Sequence, residues 1–106
     1  MPSAEAAAPL FAALADPTRL ALLKRLADGE ARPIVALAAG SALTRQAVSK
    51  HLAVLSGAGL VGRRRSGREM LYALRPERLA EAREWIDEVA AQWVDALGRL
   101  KAHVED

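Results

Sequence analysis

The chain has 106 residues, of which 52% are hydrophobic and 26% charged, enough for one compact domain spanning 1–106 and too apolar for a disordered chain. It has no cysteine, which excludes a disulfide framework, a thiol nucleophile, an iron–sulfur cluster and a thiolate zinc site; its two histidines cannot alone supply three or four metal ligands, so carboxylates would have to help, and no metal or other cofactor is expected. The formal charge of +2 conceals an asymmetry. Between residues 44 and 75, Arg45, Lys50, Arg63, Arg64, Arg65, Arg68 and Arg75 stand against one acid, Glu69, whereas residues 76–106 hold four bases and eight acids. The central segment is either built to meet a polyanion or is a solvated charged face. No apolar run approaches the roughly 20 residues of a membrane helix, and the start of the chain lacks the order of a signal peptide, so a cytoplasmic location without a membrane partner is expected.

Met1–Ala8 read as a fraying end. A first helix carries Leu10, Phe11 and Leu14. Asp16-Pro17 ends it and starts another, with Asp16 as N-cap and Pro17 in the first helical position, where its missing N–H costs nothing. Leu20, Leu22, Leu23 and Leu26 give this second helix its apolar face, and Asp28-Gly29 stops it. Pro33 opens a short third helix over Ile34, Val35, Leu37, Ala38 and Ala39, broken by Gly40-Ser41. Thr44 caps a fourth, which runs to about Ser56 before Gly57 and Gly59. The third and fourth helices make a helix-turn-helix.

From Leu60 the period changes. Val61–Arg65 and Glu69–Leu74 flank Ser66-Gly67-Arg68 as a β-hairpin, with Met70 and Tyr72 on one side and Leu71 and Ala73 on the other. Pro76 then begins a helix of about 29 residues, roughly 43 Å long. Its apolar positions, Leu79, Ala82, Ile86, Val89, Trp93, Leu97, Leu100 and Val104, recur every three or four residues; Glu77, Glu81, Glu84, Glu88 and Asp95 lie opposite. So long an amphipathic helix reads as an oligomer seam. The expected fold is mostly α with a small β-hairpin: a winged helix-turn-helix of five helices and a two-stranded wing. It dimerises through its first and last helices, with 76–106 as the dimerisation helix. The expected interface residues are Leu10, Phe11, Leu14, Leu79, Ile86, Val89, Trp93, Leu97 and Leu100.

At about 100° per residue, Ala47, Val48, His51, Leu52 and Leu55 fall on the inner side of the fourth helix. Gln46, Ser49, Lys50 and Ala53 fall outside, with Arg45 at the exposed end. Arginine can bridge guanine O6 and N7, and glutamine adenine N6 and N7. Thr44 and Ser49 suit phosphates, and the helix N-terminus adds its own N–H groups. Arg63, Arg64, Arg65 and Arg68 around the small tip Ser66-Gly67 are what a minor-groove wing needs. Strand alternation keeps Arg63 and Arg65 from pointing where Arg64 does. At least one of them is then a general electrostatic contact or a salt bridge to the acidic last helix. His51 reads as a packed, hydrogen-bonded structural histidine, and His103, three residues before Asp106, as an exposed one.

These residues resemble the ArsR/SmtB family of winged-helix repressors. Leu14-Ala15-Asp16-Pro17-Thr18-Arg19-Leu20 and Leu23-Lys24-Arg25-Leu26 are similar to that family's opening. Ala47-Val48-Ser49-Lys50-His51-Leu52, Leu55 and Ala58-Gly59-Leu60-Val61 are similar to its recognition helix, and Gly67-Arg68-Glu69 with Tyr72-Ala73-Leu74 to its wing. The resemblance spans roughly Leu10 to Leu100. It implies a homodimeric bacterial repressor in which Arg45, Gln46, Ser49 and Lys50 face double-stranded operator DNA and the wing flanks it. Where thiol-sensing members carry Cys-x-Cys-Asp, Pro33, Val35 and Ala36 stand; Asp95-Ala96-Leu97 lacks the histidine of members that bind metal in the last helix. Both metal sites are therefore expected to be absent.

Two alternatives compete with repression of an inverted-repeat operator without metal sensing. In one, Trp85 and Trp93 with Leu10 and Phe11 enclose a pocket for a small apolar effector at the dimer seam, against plain interface packing. In the other, the long helix pairs with a foreign protein and the module binds no DNA. An enzyme is not expected: the chain has no nucleophile–base pair, phosphate-binding glycine loop or paired inward carboxylates.

Overall fold

The computed structural model describes residues 3–105. Helix α1 (Ala4–Leu14) starts where Ser3 Oγ accepts from the Ala6 N–H at 3.2 Å. The segment expected to fray is thus helical from Ala4, since a run of alanines needs only a cap to hold its first turn; Met1 and Pro2 lie outside the described residues. The Asp16-Pro17 corner behaves as its residues dictate. Asp16 Oδ2 accepts from the Arg19 N–H at 3.0 Å, and Pro17 opens α2 (Pro17–Arg25). Leu22, Leu23 and Leu26 are buried, but Leu20 is 50% exposed. Helical geometry puts Leu20 about 110° from the centre of the arc those three share, so it leaves the expected apolar face.

Strand β1 (Arg32–Pro33) precedes α3 (Ile34–Ala38), and α4 (Arg45–Gly57) follows with Thr44 Oγ1 accepting from the Ala47 N–H at 3.1 Å. Strands β2 (Val61–Ser66) and β3 (Glu69–Leu74) pair antiparallel over six positions, closed by a two-residue turn in which Gly67 takes φ +62°. The wing is three-stranded rather than two-stranded, in the order β1-β3-β2, because Arg32 pairs with Tyr72 and Pro33 with Leu71. Pro33 is tolerated there because β1 is an edge strand. Two residues carry no periodicity, which is why this strand is invisible in the sequence.

The core is aliphatic. Leu10, Leu26, Leu37, Leu52, Leu55, Leu60, Val48 and Val61 are essentially sealed, with Tyr72 closing the wing side. Helix α5 (Pro76–Glu105) adds only Ala82 to the fully buried set. Its first half lies along α1; from Ala90 to Glu105 every residue is exposed, and the molecule measures 68 × 27 × 24 Å. No single helix among the described residues is long and apolar enough to cross a membrane.

Three arginines stitch the helix ends together. Arg19 donates from Nε to the Ala13 carbonyl at 2.7 Å and from Nη2 to that of Ala12 at 3.2 Å, closing the end of α1. Arg25 donates to the carbonyls of Leu37 at 2.5 Å and Ala36 at 2.8 Å, holding α3 against α2. Arg78 Nε reaches the Ala58 carbonyl at 3.2 Å and ties α5 to the end of α4. Such terminal carbonyls have no partner within their own helix. Arg25→Ala should therefore lower stability by about 1–2 kcal/mol, reduced from the full value of a charge-assisted bond by solvent exposure. The loss is read as a lower urea midpoint at unchanged m-value, and Arg25→Lys, lacking the planar fork, should recover little of it.

Candidate nucleic-acid interface

Val48, Leu52 and Leu55 sink into the core and turn the opposite face of α4 outward. Arg45, Gln46, Lys50 and Ala53 are exposed and Ser49 half-buried, the outer set expected from helical angle. Thr44 occupies one first-turn amide of α4 through its cap and leaves the rest of that positive helix end facing solvent. A groove of about 470 Å³ runs from this end to the start of β3, bringing Arg45, Gln46 and Ser49 beside Glu69 and Met70.

The register of the hairpin sorts the wing arginines. Arg63 lies opposite Tyr72, Arg64 opposite Leu71 and Arg65 opposite Met70, so Arg63 and Arg65 share one face and Arg64 takes the other. Arg63 and Tyr72 line a cavity together with Ser49, Ala53, Ser56 and Gly57 of α4, so the Arg63 face is the one turned towards α4. Arg63, Arg64, Arg65, Ser66, Gly67 and Arg68 are all exposed. The ion pairs among the described residues are Arg32–Asp28, His51–Asp16, Arg78–Glu81, Arg83–Asp87 and Lys101–Glu105, and none includes a wing arginine. The alternative of a salt bridge to the last helix is not realised among the described residues: Glu81, Asp87 and Glu105 pair within α5, and no other α5 acid pairs with a wing arginine. Sequence reasoning overlooked Ser56 and Tyr72 here; the stripe at 49, 53, 56 and 57 was the available signal.

His51 sits on the inner side of α4, where Arg19 Nη1 approaches its Nδ1 at 3.4 Å and Asp16 Oδ2 lies 3.8 Å away. It is a structural partner that pins α4 to the α1–α2 corner. The Asp16 carboxyl is held below its ordinary value of 3.8, first by the Arg19 backbone N–H and further by the Arg19 guanidinium and His51 charges. His103 is exposed on α5; Asp106 lies outside the described residues. No three of His, Asp and Glu come together to hold a metal among the described residues.

The expected seam residues divide into two groups. Leu10 is 1% exposed and fills the chain's own core, and Leu14 and Leu79 pack against it. Ile86, Trp93, Leu97 and Leu100 are open, Trp93 at 64%. Phe11 meets Trp85 edge-to-face with centroids 5.9 Å apart, and Phe11, Trp85, Ile86, Val89 and Ala90 line an apolar hollow of about 320 Å³.

Comparison with known proteins bears on the whole arrangement. Residues 14–64 match the profile of a helix-turn-helix domain. The chain is 49% identical over 77 residues to the HTH-type transcriptional regulator CmtR of Mycobacterium tuberculosis, an alignment covering 73% of this chain and 64% of CmtR. The chain thus spans somewhat under two thirds of that relative's length. An ArsR-like transcriptional regulator from Rhodococcus sp. RHA1 superposes with a TM-score of 0.78 at 33% identity, covering 92% of this chain and 91% of that one. The homodimeric winged helix-turn-helix DNA-binding domain of a candidate ArsR-family regulator from Mycobacterium bovis superposes with a TM-score of 0.66 at 29% identity, covering 87% and 84%.

The Asp16 geometry has a pH signature. A carboxyl whose folded-state value is depressed contributes stability that is present above the unfolded value and lost as pH falls through the folded one. Asp16→Asn keeps an acceptor at the cap but removes the titration. The stability advantage of the wild type over Asp16→Asn should be level at neutral pH and shrink below about pH 4, as read from urea midpoints across a pH series.

Proposed function

The chain belongs to the ArsR/SmtB family of winged helix-turn-helix, DNA-binding transcription regulators, and from that premise we propose that it works as a homodimeric repressor of an inverted-repeat operator, without a metal. The observation that carries this reading is the placement of one polar helix face, Thr44, Arg45, Gln46, Ser49 and Lys50, beside a wing whose arginines, Arg63, Arg64, Arg65 and Arg68, have no carboxylate partner among the described residues. Arg45 and Gln46 have the donors to read base edges; Thr44, Ser49 and Lys50 suit phosphates. The wing, tipped by the Gly67-Arg68 turn, is slender and cationic enough for the adjacent minor groove.

The dimer is supported by α5. A helix end exposing Trp93, Val94, Leu97, Leu100 and Val104 is a run of large apolar side chains of the kind that marks an interaction surface. Its continuity with Phe11 and Ile86 supports a seam along α1 and α5. Two copies so joined would place recognition helices in successive major grooves, about 34–36 Å apart, and a protein seated there occludes the polymerase. The lack of cysteine removes every thiolate ligand, which supports operation without a thiolate-bound metal. A second reading has its own observation. The hollow at Phe11, Trp85, Ile86 and Val89 would lie at that seam, where a small apolar effector could gate the dimer. Trp85 fluorescence should then shift saturably with one member of an apolar metabolite panel and with loss of operator binding; an unresponsive tryptophan assigns the hollow to packing.

Selection of bound duplexes from a random pool tests the main reading, with an inverted repeat of one-turn spacing as the expected outcome. A folded monomer in sedimentation that retards no duplex at low salt would instead make the chain a protein-interaction module. Arg45→Ala and Gln46→Ala should each cost about 1–3 kcal/mol on the selected site and relax base preference. Arg64→Ala and Arg68→Ala should weaken all sequences alike and lower the slope of log K against log salt by about 0.9 per lost phosphate contact.

A further inference from the structure

The cavity between α4 and β2, about 340 Å³ in volume, is walled by Ser49, Ala53, Ser56 and Gly57 on one side and Arg63 and Tyr72 on the other. Its chemistry is specific. The four α4 residues form one stripe of the helix and are all small; a Cβ at Gly57 would meet nothing within 4 Å, so the floor is open. Arg63 leaves the sheet on the face it shares with Tyr72 and has no ion-pair partner among the described residues. No acid lines the cavity. Ser56 Oγ is buried without a hydrogen-bond partner. Buried hydroxyls are nearly always paired, and this one lies beneath the wall of a cationic hollow with no bond to lose, so rotation about χ1 to meet an acceptor entering the hollow gains it a partner. One guanidinium, two serine hydroxyls and no carboxylate fit a singly charged tetrahedral oxyanion, the charge of a phosphodiester.

The position of the cavity supplies the source of that oxyanion. With α4 in a major groove and the wing in the neighbouring minor groove, the single sugar–phosphate strand that separates those grooves has to cross between α4 and β2. We propose that this cavity seats one phosphodiester of that strand in each half-site, with Arg63 pairing to its charge, Ser49 and Ser56 donating their hydroxyls, and Tyr72 forming the wall. The seat rests on the DNA-binding reading above and adds to it Ser56 and Tyr72 and a fixed register between helix and wing. Free inorganic phosphate has the same chemistry, so the test separates the two.

In the selected operator duplex, each backbone phosphate is replaced in turn by a neutral methylphosphonate. The wild type should lose about tenfold in affinity at one position per half-site on the strand between the two grooves, the size of a lost charge-assisted hydrogen bond. In Arg63→Ala that penalty should fall to about twofold or less, and in Ser56→Ala it should fall in part, while penalties elsewhere persist; Arg68→Ala should keep it in full. Ser56→Ala should melt no lower than the wild type, since it removes an unpaired group. An Arg63→Ala protein that still shows the full penalty at every position overturns the seat and leaves the DNA-binding reading standing; failure to bind any duplex overturns both. Titration of the DNA-free protein with inorganic phosphate completes the test. Saturable amide shifts at Gly57 and Arg63 without any methylphosphonate coupling make the cavity a free-anion site and overturn the strand seat.

Discussion

The whole arrangement depends on the burial of Val48, Leu52 and Leu55 against the leucines of α2, α3 and the wing. Aromatics make up only 4% of the chain, so branched aliphatic side chains must fill the interior, and they do so in tight contact. That packing fixes the rotation of α4 about its own axis. Once three apolar residues of a helix point inward, the opposite positions have no freedom about where they face. The outward set Gln46 and Lys50 is a corollary of what lies beneath it, and rotating α4 by one residue would put Ser49, Ala53 and Ser56, or Ala47, His51 and Val54, where Val48, Leu52 and Leu55 now pack.

Orientation about the axis is only half of what fixes the outward face of α4; the helix must also be held at its ends. His51 and Arg19 anchor α4 to the α1–α2 corner, and Arg78 holds its far end through the Ala58 carbonyl. Gly59, in the left-handed conformation at φ +77°, lets the chain turn into β2, and an added Cβ would come within 3.1 Å of Arg78. The wing therefore leaves α4 through a corner braced by α5. This bracing keeps the Arg63 face of the hairpin over the Ser49–Gly57 stripe.

Much of this was legible in the residues, and the division follows interaction range. Asp16-Pro17, Thr44 and Gly67 act on their own neighbours, so cap, helix start and turn could be read at sight. The periodicity of α4 and α5 is a property of a few turns and was equally plain. What escaped needs partners distant in sequence. The strand at Arg32–Pro33 exists because Tyr72 and Leu71 lie beside it, and Arg25 is a clasp for α3 because Leu37 folds back over it. Leu10 reads the same whether it faces its own core or a second copy; only the burial against Leu26 and Leu52 separates the two. The side of the wing that meets α4 likewise follows from the three-dimensional register, since alternation alone separates Arg63 from Arg64 without saying which faces inward.

The overhang of α5 has one more consequence. From Ala90 to Glu105 every residue of the helix is exposed, and a lone helical stretch of that length is marginal in water. Its order therefore has to be borrowed from whatever it lies against. In the proposed dimer, shape and concentration become linked quantities: dilution would unwind the far end as well as separate the protomers, making far-ultraviolet ellipticity a function of protein amount.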